Sequence, residues 1–174
     1  QRALRDRLPR SDRRTIVCLD DDDAQFDAES TADLPNKATP DNLPYALFTS
    51  ASTGTPKSVL MSHRALHNRL CWMRETLRFT ESDRLLHKTA LVFDASVCEV
   101  LLPLITGARL IVARPGGHTD PSYLVDMVLR HGITYLDFAP TLLGLFLDEP
   151  RVEQCNVSLR VVFCGGESLP MELH

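Results

Sequence analysis

The chain has 174 residues, 44% of them hydrophobic and 24% charged, with a formal net charge of −4. That is one ordinary globular domain or part of a larger one, too apolar for intrinsic disorder and without an apolar run of the roughly 18 residues a membrane span needs. The mild acidic balance argues against a dedicated nucleic-acid binder, and eight Gly with eleven Pro exclude a collagen-like or low-complexity chain.

Taken in order, the chain opens with an Arg-rich helical stretch: residues 1–14 hold six Arg against two Asp. Thr15–Leu19 reads as a short strand. Residues 20–43 are polar and rich in breakers, with acids at Asp20–Asp23, and read as a surface loop. Tyr45–Phe48 and Val59–Met61 read as buried strands. A helix is expected from His63 with Ser62 as its N-cap, burying Leu66, Leu70, Met73 and Leu77 at helical spacing. Leu85–His87 is a further strand, Ala95–Ile105 a helix closed by Gly107, and Leu110–Val112 a strand. Asp120 followed by Pro121 is a helix start, and Gly132 closes that helix after His131. Ile133–Phe138 reads as a strand, Thr141–Leu147 as a helix, and Val161–Phe163 as a strand ending at Gly165-Gly166. Strand and helix alternate, so the expected class is α/β: a mostly parallel sheet with flanking helices.

The five cysteines (Cys18, Cys71, Cys98, Cys155, Cys164) form no CxxC pair and are odd in number. They read as free thiols in a reducing, cytoplasmic setting. His63 and His67 lie four apart with Arg64 between them, which is not a zinc motif. Cys98 and Cys164 lack a nearby His motif, so packing accounts for them better than nucleophilic chemistry. The chain starts at Gln1 and stops at His174. Both ends read as cut, and the expectation is a fragment.

Between the first two buried strands lies Thr49-Ser50-Ala51-Ser52-Thr53-Gly54-Thr55-Pro56-Lys57-Ser58. Hydroxyls and backbone N–H groups donate to phosphate oxygens, and Lys57 adds a point charge. The loop is not a Walker motif, because Gly54 stands three before Lys57 and position 52 is Ser. On composition alone an ordinary polar connection remains open.

Leu43–His63 closely resembles the signature loop of adenylate-forming enzymes, and most of all that of the amino-acid adenylation domains of nonribosomal peptide synthetases. Phe93-Asp94-Ala95-Ser96-Val97-Cys98-Glu99 resembles a second family motif, FDxSVxE. Ile133–Thr141 and Val162–Pro170 resemble two more segments. The resemblance covers essentially the whole chain. It implies part of the large N-terminal domain of the adenylate-forming fold, with the small C-terminal domain absent. The implied reaction converts an amino acid and ATP, with Mg²⁺, into aminoacyl-AMP and pyrophosphate. The acyl group then passes to the phosphopantetheine thiol of a carrier domain, alongside condensation domains, with no nucleic acid or membrane involved.

By the same resemblance, Thr49, Ser50 and Lys57 are catalytic. Ser52, Thr53, Gly54, Thr55, Gly165, Gly166 and Glu167 bind the nucleotide. Asp94, Ala95, Cys98, Asp137, Phe163 and Gly165 line the amino-acid pocket, with Asp94 on the α-ammonium. Read in isolation, Asp94 is a helix N-cap. Asp137, in a mostly apolar strand, is costly unless paired. It points to a substrate side chain that is basic or a hydrogen-bond donor, or else it caps the following helix or bonds a neighbour. Ala51 and Ser58 stand where the family usually has Gly. That keeps a degenerate, non-catalytic domain open beside an acyl- or aryl-CoA ligase, which Asp94 disfavours.

Overall fold

Strand propensity in this chain is spent on short, β-branched and leucine-rich runs, and four of them form one parallel sheet. In the computed structural model, which describes residues 2–9, 16–20, 29–49 and 54–173, these are β3 (Arg84–His87), β4 (Arg109–Val112), β5 (Tyr135–Phe138) and β6 (Val161–Cys164), in the order β4-β3-β5-β6. Every pairing is parallel. Two earlier strands, β1 (Tyr45–Thr49) and β2 (Lys57–Met61), make a separate antiparallel pair. Four α-helices complete the main body: α1 (His63–Thr76), α2 (Asp94–Thr106), α3 (Pro121–His131) and α4 (Pro140–Leu147).

The helix boundaries follow from their caps. The Ser62 hydroxyl accepts from the Ala65 N–H at 3.2 Å and starts α1. The Asp120 carboxylate accepts from the Tyr123 N–H at 3.1 Å, with Pro121 at the first helical position of α3. Gly107 and Gly132 end α2 and α3 at φ of +74° and +61°, a left-handed conformation that a Cβ disfavours.

Pleat alternation then sorts the strands into two cores. Leu86, Leu136 and Phe138 pack with Val125, Val128 and Phe146 under α3 and α4. Leu85 and Tyr135 pack with Leu66, Leu70, Met73 and Leu102 under α1 and α2. A buried carboxylate ties the strand entries together at the other end of the sheet. Asp83 accepts from the Thr80 N–H at 2.8 Å, the Thr134 hydroxyl at 2.8 Å and the Arg160 guanidinium at 3.0 Å. Arg160 also donates to the Leu77 carbonyl at 2.6 Å. These bonds hold the Asp83 carboxyl below its usual range, against the upward push of burial.

Three expectations are corrected. Residues 16–20 form no strand, and Val17 and Leu19 are exposed. The β1 and β2 strands exist but are not buried: Phe48 is 71% and Leu60 59% exposed, because no second layer among the described residues covers that face of the hairpin. Tyr135, not Ile133, begins β5, since Gly132 must first close α3. The chain divides into two units, residues 1–38 and 39–174. The first holds a short 3₁₀ helix, Arg2–Arg7, with the Arg2 N–H donating to Asp20 at 2.8 Å. Residues 29–44 carry no helix or strand. No helix among the described residues is long and apolar enough to cross a membrane.

Truncating the strand-entry carboxylate removes the acceptor of the Thr80 N–H, the Thr80 and Thr134 hydroxyls and the Arg160 guanidinium at once. Asp83→Ala is expected to lower the unfolding free energy by about 2–3 kcal/mol in urea denaturation. Asp120→Ala should cost only about 1 kcal/mol, the worth of one cap. An Asp83→Ala loss no larger than the cap's would show the network to be peripheral.

Candidate active site

The carboxyl ends of β3, β5 and β6 open into one cleft of about 790 Å³, the end of a parallel sheet where ligands are ordinarily received. Asp94, Ala95 and Cys98 reach it from α2. Asp137 comes from β5, Phe163 from β6, and Gly165, Gly166 and Glu167 from the turn that follows. These eight sequence-predicted residues are thus gathered in one place. Gly166 has φ +87°, so its lack of a side chain is a conformational requirement. Glu167 accepts from the Thr141 hydroxyl at 2.9 Å.

The hydroxyl-rich loop is only partly within the described residues: Ser50, Ala51, Ser52 and Thr53 lie outside them. Thr49 and Lys57 face each other across the mouth of the loop as a registered pair, with the Thr49 hydroxyl 3.4 Å from the Lys57 carbonyl. Gly54 turns the chain at φ +83°. Thr49, Gly54, Thr55 and Lys57 are exposed and do not line the cleft. Ser58 pairs with Phe48 inside β2 and has no left-handed backbone, so replacing glycine there brings no strain in φ.

Asp94 is not a cap. Phe93 occupies the N-cap position of α2 without a side-chain bond, and Asp94 is the first helical residue. Its carboxylate is exposed at the cleft and near the positive end of the helix dipole. Nor does Asp137 cap α4, which starts after Ala139 without a side-chain bond. Asp137 accepts from the Tyr135 hydroxyl at 3.3 Å. Burial pushes its carboxyl up to about 6, opposed mainly by the charge of Lys88. Burial likewise pushes the Tyr135 hydroxyl well above its ordinary range. The Cys98 and Cys164 thiols are also pushed up by burial, so neither is a ready thiolate.

Several residues of the cleft were not singled out from the sequence. Tyr45 and Met61, a registered pair at the far end of the β1–β2 hairpin, line it. Arg69 lines it from α1, its guanidinium 5.4 Å from the Phe163 ring centre and 4.9 Å from that of Trp72. Lys88, just after β3, lines it with its ammonium 4.6 Å from the Phe138 ring centre. Behind them Glu99 is fully buried. It takes a 2.7 Å bond with His87 Nδ1, two backbone N–H bonds from Lys88 and Thr89, and the Thr89 hydroxyl at 2.6 Å. A carboxylate inside an otherwise apolar helix face was the available signal for Glu99, since it must find partners. Arg69 and Lys88 carried no local signal.

Residues 1–174 match the family described as AMP-binding enzyme. The chain belongs to this family. It is 44% identical over 151 residues to tyrocidine synthase 3 of Brevibacillus parabrevis, covering 87% of this chain and 2% of that protein. It is 40% identical over 162 residues to the phosphinothricin tripeptide synthetase PhsB of Streptomyces viridochromogenes, covering 93% of this chain and 14% of that one. Among solved structures, the nonribosomal peptide synthetase FmoA3 in its α-methyl-L-serine-AMP-bound form superposes with a TM-score of 0.83 at 32% identity, covering 99% of this chain and 19% of that one. The chain therefore spans a small part of each of these relatives.

The pKa of Asp137 in this AMP-binding chain has a consequence for stability. A carboxyl raised to about 6 by burial favours its neutral form in the fold. Stability is therefore highest below the ordinary carboxylate pKa and falls as pH climbs through about 4 to 6. Asp137→Asn should be more stable than wild type at pH 8, by on the order of 2–3 kcal/mol. The gain should vanish at pH 4, as read by denaturant unfolding across that range. A pH-independent difference would mean that Asp137 titrates normally.

Proposed function

We propose that residues 1–174 are one portion of a single adenylation domain whose parent activates an amino acid as aminoacyl-AMP. The observation carrying this is the convergence of Asp94, Ala95, Cys98, Asp137, Phe163 and Gly165 on one cleft at the carboxyl ends of the strands. In this reading, the α-ammonium sits on Asp94, whose carboxylate has no hydrogen-bond partner among the described residues. A cation entering a partly buried site needs such a partner, and fixing it orients the substrate carboxylate for attack on the α-phosphate. Asp137 receives a substrate side chain that donates a hydrogen bond or is basic.

ATP would lie between the cleft and the hydroxyl-rich loop. Thr49, Ser50, Ser52, Thr53, Gly54, Thr55 and Lys57 would hold its phosphates, and Gly165, Gly166 and Glu167 would border the nucleotide. The chemistry asked of the protein is positioning and charge stabilisation, with no protein nucleophile. The high thiol pKa of Cys98 and Cys164 is in keeping with that. No three His, Cys, Asp or Glu side chains among the described residues cluster to hold a metal. Mg²⁺ would enter with ATP on the phosphate oxygens. The acyl group would pass to a phosphopantetheine thiol of a carrier domain in a cytoplasmic, multidomain peptide synthetase with condensation domains. The similarity to a tripeptide synthetase, PhsB, supports the peptide-synthetase part of that reading.

Amino-acid-dependent ATP–pyrophosphate exchange by the full-length parent tests the reading. Asp94→Ala should lower kcat/KM for the amino acid by about 100-fold, the loss of a charge-assisted bond to the ammonium. Lys57→Ala should lower exchange with every amino acid alike. Exchange supported by fatty or aryl acids but by no amino acid would overturn the proposal. So would an inactive parent that regains activity only with Ala51→Gly and Ser58→Gly, since that marks a degenerate domain.

A further inference from the structure

The cleft holds one charged group that none of the roles above uses. Lys88 leaves β3 directly into the wall of the cavity and is half-buried. Among the described residues its ammonium makes no hydrogen bond and no ion pair, and it lies over the Phe138 ring. The nearest carboxylates do not serve it. Glu99 is already saturated by His87, Thr89 and two backbone N–H groups. Asp137 is held by the Tyr135 hydroxyl, and no ion pair joins it to Lys88. Lys88 and Asp137 both line the cleft, and the charge of Lys88 opposes the effect of burial on Asp137. Burial pushes the Lys88 ammonium down, a sign that three donors have lost water without gaining a protein acceptor.

We propose that Lys88 is a specificity-determining residue: with Asp137 it forms a split receptor for a substrate side chain that offers an acceptor oxygen and a donor N–H together, the chemistry of a carboxamide. This deepens the adenylation reading and rests on it. The oxygen accepts from the Lys88 ammonium and the NH₂ donates to the Asp137 carboxylate. The alternatives fit less well. A basic side chain would be a third cation beside Arg69 and Lys88, and a carboxylate would meet Asp137. An apolar side chain would strip water from both groups and pair neither, which sites built for hydrogen bonding reject strongly. The Lys88 position was not legible from local sequence because its partner in the receptor is 49 residues away in the chain.

The test is ATP–pyrophosphate exchange by the full-length enzyme with glutamine, asparagine, methionine, leucine, glutamate, ornithine and lysine. The wild type is expected to prefer a carboxamide over its apolar near-isostere (glutamine over methionine, or asparagine over leucine) by at least tenfold in kcat/KM. It should prefer it over the charged amino acids by a similar factor. Lys88→Met should reduce the carboxamide-to-isostere ratio at least tenfold, chiefly through KM, while exchange with the apolar amino acid persists or rises. If that variant is insoluble, Lys88→Gln carries the same comparison. A wild type that prefers ornithine, lysine, glutamate or an apolar amino acid overturns the proposal and leaves adenylation intact. A uniform fall across the panel, or an unchanged ratio, also overturns it, because Lys88 would then serve the common part of the substrate or none of it. No exchange with any amino acid overturns the adenylation reading itself.

Discussion

The cleft depends on the burial of one carboxylate. Glu99 sits fully inside the molecule on α2, and an ionised carboxylate there is tolerated only if its lone pairs are met. They are met by the segment that leaves β3: the His87 ring, the Lys88 and Thr89 backbone N–H groups and the Thr89 hydroxyl. A helix and a strand exit are thereby fastened at a single point. One turn before Glu99 in α2 come Asp94 and Ala95, and beside it Cys98; on the fastened segment come Lys88, Thr89 and Ala90. All of these line the cleft. Loss of the Glu99 carboxylate would free the wall and the helix together, which is why a residue that touches no ligand sets the geometry of those that do.

The same low-polarity surroundings govern what the cleft can accept. Asp137 and Lys88 are both shifted toward their neutral forms by burial; the charge of Lys88 opposes this at Asp137, and the charges of Glu99 first and Asp137 second oppose it at Lys88. The two groups line one cleft with no ion pair between them among the described residues. Arg69 is different in kind. Its guanidinium lies over Trp72 and Phe163, and aromatic faces satisfy a planar, weakly hydrated cation better than they would an ammonium. Arg69 therefore shapes the wall, whereas Lys88 still lacks an oxygen.

Much of the fold was legible because it was written locally. Ser62, Asp120, Gly107 and Gly132 are cap residues whose chemistry acts within one turn, and each ends or starts a helix where expected. The parallel sheet was legible from the alternation of short apolar runs with helical periodicity. What failed was burial. Tyr45–Phe48 and Val59–Met61 have the composition of interior strands, yet composition says nothing about whether a second layer covers them, and here the Phe48 face is open. The expected strand at residues 15–19 failed likewise over its described part: Ile16, Val17 and Leu19 are apolar, yet residues 16–19 form no strand and these side chains are exposed. In the site, Asp94 was found through the resemblance of its motif and Asp137 also as a polar group in an apolar strand, whereas Arg69, Lys88, Tyr45 and Met61 come together only through topology.

The β1–β2 hairpin explains why the sequence motif and the cleft are not the same place. Its registered pairs run from Tyr45–Met61 to Thr49–Lys57. The first pair lines the cleft and the last closes the mouth of the hydroxyl-rich loop. Four residues of extended chain separate them, or about 13 Å at the usual strand rise. In the reading proposed above, a ligand engaging both ends is long and changes character along its length, with an ammonium and a side chain at the cleft and an anionic tail at the loop. An amino acid meeting a nucleoside triphosphate has that distribution of charge, and a free fatty or aryl acid lacks the cation at the Asp94 end. The fixed register of the hairpin thus sets the spacing between the cleft and the mouth of the loop. An inserted residue in either strand would shift the loop relative to the cleft and move every second side chain to the other face, damaging both halves of the site without touching a residue of either.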